Sequence, residues 1–238
     1  MLEDFFSNIQ VPEFLNSEFK KDDWYMLIAN LRNILKKEIS ENSIKSKISD
    51  KVVLNGNVFV GENTVIGEFV VIDGPVYIGN NVEIGPGVYI RPGTVICDDV
   101  SIGHASEIKN SIMMPGSKLA NHVLLADSII GKKARLAGHC ETANRRFDQG
   151  EIDFIYKNSK LNTGLDKLGM ILGDGSRLGG GVFTFPGTMI GMNTFVSTMA
   201  CVGGYIEPNK FIKFKGQYET LDNNFKGELK QSYLFERV

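Results

Sequence analysis

The stretch Val76-Tyr77-Ile78-Gly79-Asn80-Asn81-Val82-Glu83-Ile84-Gly85-Pro86-Gly87-Val88-Tyr89-Ile90 returns an aliphatic residue at every sixth position. Working outward, the register holds at Leu54, Val60, Ile66 and Ile72 on one side and at Ile96, Ile102 and Ile108 on the other. The next position is often glycine, as at Gly61, Gly67, Gly79, Gly85 and Gly103. An amphipathic helix returns its apolar face every three or four residues, so a period of six excludes it. The period suits a short strand and a turn with one inward side chain, and hexapeptide repeats of this kind stack into a parallel β-helix. Three hexads close a triangular coil, and successive coils lie about 4.8 Å apart. An antiparallel sandwich has no reason to keep one register for so long. Met114, Ala120 and Ala126 extend the register, which then slips by two residues and resumes at Ile130 and Leu136. A second array runs through Leu172, Leu178, Thr184, Ile190, Val196 and Val202.

The flanks read differently. Trp24, Leu27, Ile28, Leu31, Ile34 and Leu35 follow the i, i+3, i+4, i+7 pattern of an amphipathic helix. Asp22 is placed to cap its start, and Lys36-Lys37 suit its negative C-terminal end. Because a repeat stack has open ends that need covering, residues 1–45 are expected to form a helical cap, with a partner-docking helix as the alternative. The β-helix is expected over 46–208, interrupted by an inserted loop at about 145–167 where the hexad is lost. Loops of that length in compact folds are often functional. Residues 209–238 form a polar tail, expected to add a strand or helix against the body.

Composition narrows the function classes. The 238 residues are 42% apolar and 23% charged, with a net charge of −2, which gives no electrostatic case for nucleic acid. No apolar run approaches the roughly 18 residues that cross a membrane. The start Met1-Leu2-Glu3-Asp4 lacks the basic residues of a secretory signal, so a cytoplasmic location is expected. Cys97, Cys140 and Cys201 are odd in number and show no CxxC spacing, which argues against a disulfide framework or a zinc site, and no metal is expected.

Coils convert sequence distance into columns. Arg91 and Lys109 stand 18 apart, each just after an inward residue, with Asp127 next if the register holds. Two stacked cations repel by about 3 kcal/mol at an effective dielectric near 20, which a bound phosphate would reverse. The same residues also read as solvated surface cations, or as a Lys109–Asp127 pair. The three histidines are His104, His122 and His139. His104 and His122 each follow an inward residue by two places in the expected register, so they should be neighbours on successive coils. An imidazole there can act as a general base, with Glu107 beside it to orient it. The alternative is a set of polar turn residues. The register slip makes His139 a poor third member.

The segments Val88-Tyr89-Ile90-Arg91-Pro92-Gly93, Ser101-Ile102-Gly103-His104-Ala105-Ser106-Glu107-Ile108-Lys109-Asn110, Asp127-Ser128-Ile129-Ile130-Gly131 and Thr142-Ala143-Asn144-Arg145-Arg146-Phe147-Asp148 carry a resemblance. Over roughly residues 50–205 the chain resembles the acetyltransferase half of bifunctional glucosamine-1-phosphate acetyltransferase/uridylyltransferase and the related sugar-1-phosphate nucleotidylyltransferases. The resemblance implies an all-β fold, a left-handed parallel β-helix. It implies acyl transfer from acetyl-CoA to an amino-sugar phosphate or nucleotide-sugar in a homotrimer. By resemblance the sugar phosphate falls to Arg91 and Lys109, the sugar to Asn144, and the glutamate beside the base to Glu107; His104 is a further substrate contact. The acetyl-CoA positions fall on Gly180, Ser197 and Thr198. No room is left for a nucleotidylyltransferase half, so that activity would belong to a separate chain.

The departures from the family are as informative. Its pattern resembles KxxHxxYxGD, in which the histidine is the base and the tyrosine touches the sugar. Counted back from Asp127, this chain has Asn121 at the histidine position and Leu124 at the tyrosine, with His122 one residue late. Basic residues that come after the family's asparagine correspond to Gly150 and Asp153. Three readings are open: an acyltransferase with His122, Glu107 and Asn121 at its catalytic position, a phosphosugar-binding prism that has lost catalysis, and a purely structural scaffold.

Overall fold

The computed structural model describes residues 1–157 and 159–216. The body is a prism with three parallel sheets of nine, eight and eight strands. The first sheet contains Thr94–Ile96, Ile112–Met113 and Ile129–Ile130; the second Ser101–Ile102, Lys118–Leu119 and Arg135–Leu136; the third Tyr89–Ile90, Glu107–Lys109 and Leu124–Ala126. Each coil visits the three in turn. Inside is one column of aliphatic side chains per sheet, so that Ile84, Ile90 and Ile96 of a single coil are all buried. Burying each such side chain favours the folded chain by about 1.5–3 kcal/mol. Glycine comes after many inward residues because the next coil's backbone runs close by. A Cβ on Gly61 would lie 2.6 Å from Gly79 O.

The register departs from expectation after Ile108. The inward residues are Met113, Leu119 and Leu125, not Met114, Ala120 and Ala126. Two single-residue steps, Ile108 to Met113 and Leu125 to Ile130, replace the expected slip of two. Both shorten the corner between the third and first sheets. There Asn110 and Asp127 take positive φ, and the Ser111 and Ser128 hydroxyls donate to the Lys109 and Ala126 carbonyls at 2.7 Å. The second array also runs past Pro208: Phe211–Ile212 is a strand of the second sheet, with Ile212 beside Val196. Most of the expected tail, residues 217–238, lies outside the described residues.

The N-terminal segment lies along a side of the prism, not over its end. One place before each inward residue, the first sheet presents Val95, Ile112, Ile129, Ile171 and Met189, an apolar column where the second sheet carries Glu83, Ser101, Lys118, Arg135 and Arg177. Short 3-10 turns and the helix α1 (Leu27–Glu38) cover it, burying Phe5, Leu15, Phe19, Trp24, Ile28, Leu31 and Leu35. Asp22 does not cap this helix. The chain enters it through a 3-10 turn at Trp24–Met26, and Met26 stands at the cap position. Trp24 packs against Phe5, Phe6 and Phe19, which holds that turn in place. Backbone bonds from Asp174 N to Phe5 O and from Met192 N to Asp4 O, both 2.8 Å, fasten the segment across the rungs.

The excursion near 145–167 folds onto the same side. It forms an antiparallel hairpin, Asp153–Tyr156 with Ser159–Asn162, whose Phe154 meets the Tyr25 ring edge-on at 4.8 Å. Asp4 ties three pieces together, accepting from Tyr156 at 2.6 Å and Tyr205 at 2.7 Å, with Lys157 at 3.5 Å. Burial pushes the Asp4 carboxyl up, but these donors outweigh it and hold it below its usual range. The folded chain therefore keeps Asp4 ionised where the unfolded chain, at about pKa 3.9, protonates it. That contribution is present above the unfolded value and is lost as pH falls through the folded one. Asp4→Asn is accordingly expected to lower the urea midpoint near neutrality and to match wild type at strongly acid pH. A gap of constant size at every pH would contradict this role. Among the described residues no helix is long and apolar enough to cross a membrane.

Candidate active site

The corner between the second and third sheets brings the histidines together. With Leu119 inward, Asn121 takes the place of His104 one coil on, and His122 falls in the column of Ala105. The backbone pairing agrees: His122 N donates to His104 O at 2.9 Å, and His139 N to Asn121 O at 3.2 Å. Ala105, His122 and His139 share positive φ values of 53°, 57° and 60°. The displaced His122 thus sits in a turn, where the strand rule that one residue reverses a side chain does not apply. Its ring meets His104 edge-on at 5.2 Å and stacks on His139 at 5.1 Å. The two shortened corners bring His139 into the stack, which the expected register did not.

The three rings are exposed, and one has a defined orientation. His104 Nδ1 lies 2.9 Å from the Pro86 carbonyl oxygen. A carbonyl only accepts, so Nδ1 carries a proton, and in the neutral ring Nε2 is left as the acceptor. Asn121 is not free to replace a catalytic histidine: its Oδ1 accepts from His104 N at 3.0 Å. Asn80 and Asp98 perform the same task at another corner, accepting from Glu62 N and Asn80 N.

The outward face of the third sheet carries the polar group. One column runs Asn55, Asp73, Arg91 and Lys109, and beside it Tyr89 lies across from Glu107. Arg91 does stack over Lys109, as the spacing suggested, but each has its own counter-charge. Arg91 donates to Glu107 at 2.8 Å, and Lys109 lies 3.4 Å from Asp127. Glu107 therefore faces Arg91, and no hydrogen bond joins it to a histidine among the described residues. The Arg91 pair is two-fifths exposed, where ion pairs contribute about 0–1 kcal/mol, so a phosphate can displace the carboxylate cheaply. Asp127 is buried and also accepts from Asn110 at 2.7 Å and Asn144 at 2.5 Å. Asn144 thus stands at the margin of the same group. Leu124, at the family's tyrosine position, lies beside Glu107 and leaves that spot apolar.

Two members were missed from the sequence. Tyr89 donates to Asp73 at 2.5 Å, which raises the Tyr89 hydroxyl and lowers the Asp73 carboxyl. Extending the 18-residue column back from Arg91 reaches Asp73 and Asn55, and this was the signal available. Gly180 and Thr198 stand on the histidine corner further along the prism, and Ser197 in the column beside it. A Cβ on Gly180 would lie 3.5 Å from the Thr198 methyl, and Ser197 Oγ already accepts from Phe214 N at 2.6 Å. Among the described residues no three His, Cys, Asp or Glu side chains are grouped to hold a metal.

The family described as the GMPPB C-terminal domain matches residues 72–219. The uncharacterized acetyltransferase YaiX of Escherichia coli is 38% identical over 172 residues, which are 71% of this chain and 74% of that protein. The bifunctional protein GlmU of Methanococcus aeolicus is 38% identical over 192 residues, 79% of this chain and 45% of its own length. A GlmU of Methanococcus maripaludis is 42% identical over 194 residues, with 46% of its length covered. The chain thus spans less than half of these bifunctional relatives. On these matches and its hexad-built prism, the chain belongs to the GMPPB C-terminal-domain family and is similar to the hexapeptide-repeat acetyltransferases.

Proposed function

We propose that this chain transfers an acyl group, acetyl in the first instance, from a CoA thioester to the amino or hydroxyl group of a phosphorylated sugar. The observation that carries the reading is one imidazole of fixed tautomer at the edge of a face bearing Arg91 and Lys109. Arg91 exchanges its exposed carboxylate for the sugar's phosphate, Lys109 adds its charge from beside the buried Asp127, and Asn144 meets a sugar hydroxyl. The base moves from the expected His122 to His104, since the Pro86 hydrogen bond leaves His104 Nε2 as an acceptor. It takes the proton from the attacking nitrogen or oxygen as the new bond to the acyl carbon forms. The carbon–sulfur bond breaks, and the departing thiolate takes up a proton. His122, packed edge-on against His104, positions that ring.

Acetyl-CoA supplies the acyl group already activated as a thioester. The residues present suit it. Gly103 and Ala120 come directly after their inward residues on the second sheet and help line a shallow groove of about 460 Å³ that reaches Asn121. Gly180, Ser197 and Thr198 continue that edge toward the C-terminal coils. A homotrimer would bring a neighbouring prism against this groove. A cytoplasmic location fits small phosphorylated substrates.

Arg91→Ala tests the acceptor site. A hydrogen bond to a charged group is worth about 1.5–3 kcal/mol, so KM for the phosphosugar is expected to rise roughly ten- to hundredfold. KM for the same sugar without its phosphate should stay put. Equal effects on both sugars would remove Arg91 from the phosphate site.

A further inference from the structure

On the third sheet, the outward column nearest the histidine corner runs Val71, Tyr89, Glu107 and Leu124 on consecutive rungs. Among the described residues Tyr89 is the only tyrosine on that sheet. The family's tyrosine position falls on Leu124, one rung beyond Glu107, and Tyr89 stands one rung before it. The two positions flank the carboxylate that pairs with Arg91.

The place of Tyr89 on its coil is more telling than its type. His104 lies over the turn that leads into this rung: its Nδ1 is 2.9 Å from Pro86 O, and a Cβ on Gly87 would meet that nitrogen at 3.8 Å. Tyr89 comes two residues after Gly87, and Arg91 two residues after Tyr89. With Ile90 inward, both side chains face out, and the Arg91 guanidinium lies 5.9 Å from the Tyr89 ring centre. From Gly87 to Arg91 the extended chain spans about 13 Å. A sugar with its phosphate at Arg91 and its nucleophile at His104 crosses this interval, and Tyr89 is the outward side chain within it.

The partly exposed ring is also held in place. Its hydroxyl donates to Asp73 Oδ2 at 2.5 Å, and Asp73 Oδ1 accepts from Asn55 at 2.8 Å. The one phenolic proton is committed to Asp73, so toward a ligand the oxygen only accepts. It can read a hydroxyl hydrogen but has nothing to donate to a phosphate. The ring face offers flat apolar surface to the C–H side of a pyranose.

We propose that Tyr89, braced by Asp73 and Asn55, binds the acceptor's sugar ring and sets acceptor specificity, in place of the tyrosine missing at Leu124. The inference rests on the acyltransfer reading and deepens its acceptor site. The pyranose lies on the Tyr89 ring with its phosphate on Arg91, and one hydroxyl donates to the phenolic oxygen. The acceptor is therefore a sugar phosphate with a free hydroxyl besides the group that is acylated.

The test is calorimetry on the full chain with glucosamine 1-phosphate and, separately, with inorganic phosphate, which has no sugar. Tyr89→Phe keeps the ring and removes the acceptor oxygen, so glucosamine 1-phosphate should bind roughly two- to tenfold more weakly, the worth of one hydrogen bond. Tyr89→Ala removes the ring as well and should weaken it further. Inorganic phosphate should bind the wild type and both variants alike, which also shows that the variants are folded. A parallel loss of phosphate affinity would make Tyr89 only a brace for Arg91 and overturn the proposal. So would an unchanged affinity for glucosamine 1-phosphate in Tyr89→Ala. The two readings fail separately. If the sugar phosphate binds through Tyr89 but is never acylated, this contact stands and the transfer reading falls. If transfer proceeds and the acceptor's KM ignores Tyr89, the transfer reading stands and this contact falls.

Discussion

Alanine in place of His104 lowers acceptor-dependent turnover by roughly 10²–10⁴-fold, the usual contribution of a positioned general base. The expectation rests on the hydrogen bond from Nδ1 to the Pro86 carbonyl, which fixes the proton on one nitrogen and leaves the other to accept. His104 is exposed in a corner whose backbone is held by Asn121 Oδ1, so the substitution removes no buried contact and the urea midpoint should hold. His122→Ala takes away a ring packed edge-on against His104 at 5.2 Å and stacked on His139 at 5.1 Å but leaves His104 Nδ1 on the Pro86 carbonyl, and a loss below about tenfold is expected. The reverse ranking, with His122→Ala the crippling change and His104→Ala mild, would return the base to His122. Measuring kcat and the midpoint for both variants decides between them.

The second large effect is on stability. Phe5→Ala is expected to cost roughly 3–5 kcal/mol, the range for truncating a buried phenylalanine. Phe5 is fully buried and touches rings on three pieces of chain: Phe6, Trp24 and Tyr205. At this chain length each kcal/mol lowers Tm by about 2–4 °C. Trp24 is the only tryptophan and lies against Phe5, so its fluorescence reports the change directly. A variant with wild-type Tm would mean that the N-terminal segment is an appendage. A single transition shifted to lower temperature would mean that it is part of the prism's folded unit.

The prism was legible because hexads are local: each inward aliphatic residue and each glycine reports its own rung. Where the coil changed length, the sequence misled. Met114, Ala120 and Ala126 continue the period of six, while the structure turns inward the residues just before them, Met113, Leu119 and Leu125. A corner one residue shorter leaves no mark in the hydrophobic pattern, because both candidates at each step are apolar or small. That single error displaced His122 by one column and hid the stack with His139. The covered side also left a signal in the sequence. Val95, Ile112, Ile129, Ile171 and Met189 are apolar at a position where Glu83, Ser101, Lys118 and Arg135 are polar on the neighbouring sheet. An open apolar side, not an open end, was what the amphipathic helix had to cover.

The polar face was half legible. The spacing of Arg91 and Lys109 placed them in one column, as found. Their counter-charges were harder to see, because Glu107 sits on the adjacent column and Asp127 reaches Lys109 only around the shortened corner. Asn121 illustrates the limit of motif comparison. Its position matches the family's base, but its oxygen is occupied by the backbone of the coil before it.

The central claim is acyl transfer to a phosphorylated sugar. Its most direct test is the release of free CoA thiol from acetyl-CoA by the full chain, offered a panel of amino-sugar phosphates and their dephosphorylated counterparts. The account predicts release that depends on the acceptor, favours the phosphorylated member of a pair, and is lost in His104→Ala. No release with any acceptor, while the phosphosugars still bind through Arg91, would contradict it and leave a prism that holds its ligand without acylating it.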